Sequence, residues 1–289
     1  MERTLLSIGH GYAAESMARA LGPGWRILAT TRTRDRAAEL ARAGCEPVIW
    51  EPGPGEDAAL IAALAQATHL VSSVPPGEAD DPVVAALAAL MGRAEGLRWI
   101  GYLSATSVYG DAGGGWVDET TPAEPGSARG RARLEAERAW KALGASAGLP
   151  LAALRIAGIY GPGRSALEQL RRGTAHRIDK KGQVFSRIHV ADLGRIVAAA
   201  AEKEAAEAFN ICDDMPAPPQ DVVEFAAEIA GLPCPPVVPF EQTELSPMAR
   251  SFYAENKRTR SVRVGPELGV RLLYPDYRSG LRAILAAGG

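Results

Sequence analysis

Only three of the 289 residues are cysteine, Cys45, Cys212 and Cys234, and they stand far apart. An odd number without metal-like spacing gives neither a disulfide framework nor a ligand set for a metal, so reduced thiols buried as small hydrophobes in a cytoplasmic protein are expected. Neither sign of charge is in excess, with 32 Lys and Arg against 34 Asp and Glu and a formal net charge of −2. That balance excludes the basic composition of a nucleic-acid or anionic-membrane binder, and small-molecule chemistry is left. No apolar run approaches the ~20 residues of a membrane-spanning helix. The first apolar run, Thr4 to Ile8, breaks at Gly9-His10, so no secretory leader is expected. Internal repeats are absent, and so are low-complexity tracts beyond a general richness in alanine. A chain of this length suits one large domain or two modest ones, burying about three quarters of the surface of the unfolded chain.

What is present is organised around Ser7 to Ser16, where a short apolar strand meets Gly9-His10-Gly11-Tyr12-Ala13-Ala14 and a helix to Leu21, closed by Gly22-Pro23-Gly24. The spacing is G-x-G-x-x-A. Gly9 permits the tight turn, Gly11 lets backbone approach a pyrophosphate, and Ala14 is small enough for the helix to pack on its strand. The free N–H groups of the first helical turn, with the positive end of the helix dipole behind them, would face the phosphates. Between a strand and a helix, this string predicts a dinucleotide site that includes Gly9, His10, Gly11, Tyr12 and Ala13.

A second strand, Trp25 to Thr30, runs into Thr31-Arg32-Thr33-Arg34-Asp35-Arg36 and a helix to about Arg42. The adenosine ribose of a dinucleotide lies at this strand end, where an acid accepts the 2′-hydroxyl of NAD and an arginine accommodates the 2′-phosphate of NADP. Thr31 and Arg32 with no acid before Asp35 favour NADP, with NAD the alternative. The arginines also suit the solvated start of a helix. Strands at Pro47 to Trp50, His69 to Val74 and Leu97 to Ser104 alternate with helices at Asp57 to Ala67 and Asp81 to Gly92. Such alternation gives right-handed βαβ units and a doubly wound parallel sheet, a Rossmann-like α/β fold with ligands at the carboxyl ends of its strands. Val74 and Pro75 stand at one of those ends, either bordering the cofactor or forming a plain turn before the helix cap.

Three further stretches carry a resemblance: Ser104-Ala105-Thr106-Ser107-Val108-Tyr109-Gly110, Asp118 to Pro122, and Leu154 to Arg164 with Gly158-Ile159-Tyr160-Gly161-Pro162-Gly163. Together with Arg187 to Leu193, Phe209 to Asp214 and the tail from Lys257 to Leu281, they resemble the extended short-chain dehydrogenases of the NAD-dependent epimerase/dehydratase group, in particular its atypical members. The resemblance runs over nearly the whole chain. It implies a nucleotide-binding part formed by residues 1–160 with 188–212, and a small discontinuous substrate-side part formed by 161–187 with 213–289. It also implies pairing as a homodimer through the helices Asp81 to Gly92 and Arg131 to Leu143.

The departures from the family pattern fall on its chemistry. Ala105 stands where the family has its reactive Ser or Thr, and Arg129-x-x-x-Arg133 stands where it has Tyr-x-x-x-Lys. The family's Tyr exchanges a proton with the substrate, and its Lys lowers the Tyr pKa and holds the nicotinamide ribose. Arg133 would keep the charge and the ribose contact. A guanidinium stays protonated, however, so neither arginine relays a proton. Ser104, Thr106 and Tyr109, at the end of the fifth strand, are the nearby candidates to take over: Tyr109 is set against a local packing role, which a tyrosine after an apolar Val more often takes, and Ser104 and Thr106 can orient a carbonyl but, unassisted, are poor proton donors. His189, inside a family motif, reads as a helix-start residue bonded to backbone. Arg164, after Gly161-Pro162-Gly163, is the candidate for an anionic group of the substrate, since Arg grips phosphate oxygens bidentately. Two functions follow: an NADP-dependent oxidoreductase or isomerase acting on a nucleotide-sugar or similar polar carbonyl or alcohol, or a catalytically degenerate NADP-binding sensor or regulatory protein.

Overall fold

In the computed structural model, residues 3–53, 55, 57–77 and 80–288 are described. The outermost residues of the two expected parts, Met1, Glu2 and Gly289, lie outside them. Seven strands form one parallel sheet: β1 (Arg3–Ile8), β2 (Trp25–Thr31), β3 (Glu46–Ile49), β4 (His69–Ser72), β5 (Trp99–Ala105), β6 (Leu151–Ile156) and β7 (Glu207–Ile211). Their order across the sheet is β7-β6-β5-β4-β1-β2-β3, with every neighbouring pair parallel. The order reverses direction at β1 and β4, the topological switch point of a doubly wound sheet, and the glycine turn sits there.

Alternation along each strand sends side chains to both faces, and both faces are apolar. Leu5, Val71, Trp99 and Leu103 join one core cluster, whereas Leu6, Ile8, Leu70, Ile100 and Tyr102 join the other. The first face is covered by α1 (Tyr12–Leu21), α2 (Arg34–Arg42) and α7 (Val190–Glu202), the second by α3 (Ala58–Leu64), α4 (Pro82–Ala88) and α5 (Ala128–Ser146). A third cluster, around Tyr160, Leu167, Val222, Tyr277, Leu281 and Ile284, joins α6 (Ala166–Arg171), α8 (Pro219–Ala230) and α10 (Tyr277–Ala286). The tail then divides its allegiance. Val264 and Leu268 pack into the first face of the sheet, although they lie in sequence between the segments that build the third cluster.

Six of these helices start where a short polar side chain caps them: Thr33, Asp57, Asp81, Ser127, Ser165 and Asp276 each accept a backbone N–H of the first turn. Beyond the elements legible from the sequence, Gly158–Tyr160 pairs in parallel with Arg187–His189, and Arg177–Asp179 with Val237–Pro239. Trp116–Val117 pairs with Arg258–Thr259, and a short helix, α9 (Pro247–Phe252), lies over the carboxyl end of the sheet. These pieces wall the space above the strand ends.

Candidate functional site

A cavity of about 820 Å³ opens at the carboxyl ends of β1, β5 and β6. Its floor begins at Gly11, Tyr12 and Ala13, the start of α1. Gly9 holds a φ of +76°, and a Cβ there would meet the Val74 side chain at 2.8 Å, so the turn needs glycine. Gly11 is different: a Cβ built on it meets nothing within 4 Å, and it would project into open space at the cavity wall. The N-cap of α1 makes no side-chain bond, in contrast to α2 to α5, and the first helical bond is donated by Glu15 to the Gly11 carbonyl. The N–H groups of Tyr12, Ala13 and Ala14 are therefore left for a ligand. These features fit the pyrophosphate of a dinucleotide.

The His10 side chain of the turn faces away. His10 is buried, its Nδ1 2.8 Å from Ser7 Oγ and its Nε2 3.8 Å from Cys45 Sγ, and burial lowers its pKa to about 4. It packs beneath the turn as a neutral imidazole. Tyr12 donates its hydroxyl to the Pro162 carbonyl at 3.0 Å, joining the turn to the Gly161-Pro162-Gly163 loop. A Cβ at Gly161 would collide with that same hydroxyl, which accounts for the glycine. Thr31 and Arg32 stand at the end of β2, where Arg32 is exposed and 3.6 Å from Glu51. Val74 packs against the second core cluster and Pro75 is exposed; neither lines the cavity.

Further along, Ser104, Ala105 and Thr106 of the β5 end line the wall. Ser104 Oγ is committed to Glu137 Oε1 at 2.5 Å, and Glu137 is held in turn by Arg155 at 2.8 Å. Tyr109 belongs to the same buried chain and not to the cavity. Its hydroxyl donates to Asn210 Oδ1 at 2.7 Å and accepts from Arg155 Nη1 at 3.0 Å, and burial pushes its pKa up. The start of α5 closes on this turn so tightly that a Cβ on Gly130 would lie 2.6 Å from the Ser107 carbonyl. That contact brings Arg129 and Arg133 to the cavity. Arg133 is buried and donates to Tyr102 Oη and the Leu103 carbonyl at 2.9 and 3.1 Å, while Arg129 is exposed with its guanidinium over the Phe252 ring of α9.

The far end is cationic. Arg164 and Arg187 line both this cavity and an adjoining one of about 520 Å³, which also holds Arg172 and His176. Arg187 gives Nη1 to the Phe185 and Ala217 carbonyls at 2.8 and 3.0 Å, and burial lowers its pKa. On the same cavity wall, Glu255 and Lys257 form an ion pair at 2.7 Å. Among the described residues, five cations and a single acid, Glu255, thus line the larger cavity, a field suited to polyphosphate. No group of three or more His, Cys, Asp or Glu that could hold a metal ion occurs among the described residues.

The sheet order, the glycine turn at its switch point and the Val108-Tyr109-Gly110 turn at the β5 end together match a known family. The NAD dependent epimerase/dehydratase family covers residues 57–212, more than half of the chain. This chain belongs to that family. Among solved structures, a functionally unknown conserved protein from Silicibacter pomeroyi DSS is 50% identical over 99% of both chains, with a TM-score of 0.88. A putative NAD-dependent epimerase/dehydratase from Methylobacillus flagellatus is 26% identical over 99% of this chain and 98% of that one, with a TM-score of 0.71. The UDP-glucuronic acid 4-epimerase of Bacillus cereus, solved with NAD, shares the fold at 16% identity, 97% and 96% coverage and a TM-score of 0.77. A search of curated proteins finds no match.

The cavity brings together Gly11, Tyr12, Ala13, Ser104, Thr106, Arg133 and Arg164, and it leaves out Gly9, His10, Thr31, Arg32, Val74, Pro75 and Tyr109. Sequence reasoning missed Arg187, Glu255 and Lys257 as wall residues. The charged pair flanking Asn256 was the available signal, since residues two apart in an extended segment share a side.

Proposed function

We propose that the chain binds NADP(H) and acts as an epimerase/dehydratase-like oxidoreductase or isomerase on a nucleotide-sugar or a similar polar carbonyl or alcohol. One observation carries this reading: a single cavity joins the uncapped start of α1 at Gly11 to the Arg164 and Arg187 wall. A dinucleotide and a second phosphorylated ligand fit end to end in such a space. When bound, a nicotinamide supplies the hydride donor or acceptor. The chain's own residues divide the remaining work. The α1 N–H groups hold the pyrophosphate, Arg32 meets a 2′-phosphate at the end of β2, and Thr106 orients a ligand oxygen. Arg164 binds the anionic part of the substrate. Arg133, fixed to the β5 backbone, supplies a permanent positive charge near Ala105.

A second reading, a cofactor-binding sensor or regulatory protein, is favoured by a specific feature of the same wall. At the family's proton-transfer positions stand Ala105, Arg129 and Arg133, none of which exchanges a proton near neutral pH.

Titration with NADPH and NADH, followed by cofactor fluorescence and tryptophan quenching, tests the shared part of both readings. Gly11→Val fills the phosphate cradle without touching a neighbour, so cofactor affinity should fall at least ~100-fold while the unfolding midpoint stays in place. Unchanged affinity would remove the dinucleotide assignment. Arg32→Ala should weaken NADPH by roughly 10-fold, the worth of one charge-assisted contact, and leave NADH unaffected; an equal loss for both removes the NADP preference. Reduction of bound NADP⁺ by a nucleotide-sugar, or oxidation of bound NADPH by a keto-sugar nucleotide, separates the enzyme from the sensor.

A further inference from the structure

We infer that Glu255 and Lys257, which share the cavity wall with the arginines that take phosphate, form a subsite for the hydroxyl groups of a sugar ring. The inference rests on the nucleotide-sugar reading and adds to it the residues that would recognise the sugar.

Hydrogen-bonding capacity is the first argument. Lys257 Nζ has three donors and spends two, on the Gly110 carbonyl at 2.6 Å and on Glu255 Oε2 at 2.7 Å. Glu255 Oε2 is thereby satisfied, whereas the buried Glu255 Oε1 has no partner among the described residues. The pair is left with one spare donor and one spare acceptor. A hydroxyl supplies the complement of that set, donating its proton to the carboxylate and accepting from the ammonium. The terminal carboxylate torsion is broad, so a small rotation presents the spare oxygen to a ligand.

Rigidity is the second. Between the two charged residues, Asn256 is bound on every polar group. Its N–H donates to Asp111 Oδ1 at 2.7 Å, its Oδ1 accepts from Val184 N at 3.1 Å, its Nδ2 donates to the Gly182 carbonyl at 2.9 Å, and its carbonyl accepts from Ala112 N and Gly114 N. The Glu255 carbonyl accepts from Gln183 Nε2 at 2.9 Å. Two separate loops thus fix the tripeptide, and both charged side chains are only 12% exposed. A preorganised pair loses little entropy on binding.

The third argument is electrostatic sorting. Among the described residues, Glu255 is the one acid on a wall that otherwise carries Arg129, Arg133, Arg164 and Arg187 besides Lys257. A diphosphate is repelled by the carboxylate and drawn to the arginines, which leaves the uncharged hydroxylated part of the ligand beside Glu255.

The test compares a ligand with and without its sugar. Calorimetric titration of the NADPH-loaded full chain with UDP, UDP-glucose and UDP-N-acetylglucosamine should show at least one sugar conjugate binding roughly 10- to 100-fold tighter than UDP, the range expected for hydrogen bonds to charged groups. Glu255→Gln should abolish that increment and leave the affinities for UDP and NADPH within 2-fold. Lys257→Met provides a second variant, expected to lose the same increment, should the first unfold. An increment that persists in both variants overturns the inference, as does a native protein that binds UDP and its conjugates equally. If the native protein binds neither UDP nor the conjugates, the nucleotide-sugar reading itself fails and this inference with it, while NADPH binding is judged separately by its own titration.

Discussion

Tyr109 shows how far a single residue can be placed from sequence. Its position at the end of β5 is legible from the Val-Tyr-Gly turn, but the direction of its ring is decided by Asn210 and Arg155, which stand 101 and 46 residues away. No local periodicity reports partners that distant. The hydroxyl both donates and accepts within a buried chain, so its role is structural. Tyr109→Phe should therefore cost about 1–3 kcal/mol by leaving Asn210 Oδ1 and an Arg155 N–H short of partners, with NADPH affinity unchanged. Urea unfolding and a cofactor titration together check this. A loss of affinity with stability intact would return the phenol to the ligand. The same logic covers His10: a histidine inside a glycine turn reads as a phosphate neighbour, yet Ser7 and Cys45 take its ring inward.

At the scale of elements, the long periodic segments were readable and the short ones were not. The central strands of the sheet are apolar on both faces, and that pattern survives without any knowledge of partners. Gly158–Tyr160 and Arg187–His189 are three residues each and become strands only by pairing across an intervening helix, which single-sequence patterns do not encode. A close approach between two helices was also hidden in an ordinary residue. Ser16 of α1 donates to the Val190 carbonyl of α7 at 2.7 Å, and a Cβ on Gly194 would lie 2.5 Å from the Ser16 carbonyl oxygen. Gly194→Ala should thus force the helices apart at a cost of about 1–3 kcal/mol. Because the proposed phosphate cradle sits at the start of α1, NADPH affinity should fall with it. A variant as stable as the parent would show that the crossing relaxes freely, and stability lost without affinity would show that the cradle does not depend on it.

The whole molecule adds a balance among buried titratable groups that no motif announces. His10 and His69 are buried with pKa values near 4, so between pH 6.5 and 4 the unfolded chain takes up two protons that the folded chain refuses. Stability falls with acidification across that window, and His189, its pKa also lowered by burial, adds in the same sense. Asp213 acts in the opposite direction. Burial raises its pKa from 3.8 to about 8, against the pull of Arg187 and with the help of Asp214 and Asp276, so the folded chain keeps a proton that the unfolded chain has lost. That contribution is full below pH ~4 and is lost as pH rises to 8. Below pH 6.5 the histidines outnumber the aspartate and stability rises with pH; above it Asp213 dominates, with Asp214, its pKa also raised by burial, acting in the same sense, and stability falls by about 1.4 kcal/mol per pH unit. Urea midpoints at pH 5, 6.5 and 8 should accordingly pass through a maximum near 6.5. In Asp213→Asn the upper limb should flatten while the lower limb remains. A parent protein already flat from pH 6.5 to 8 would mean that Asp213 is ionised in the folded state, its charge met by Arg187, and the buried cation on the cavity wall would then be partly neutralised before any anionic ligand arrives.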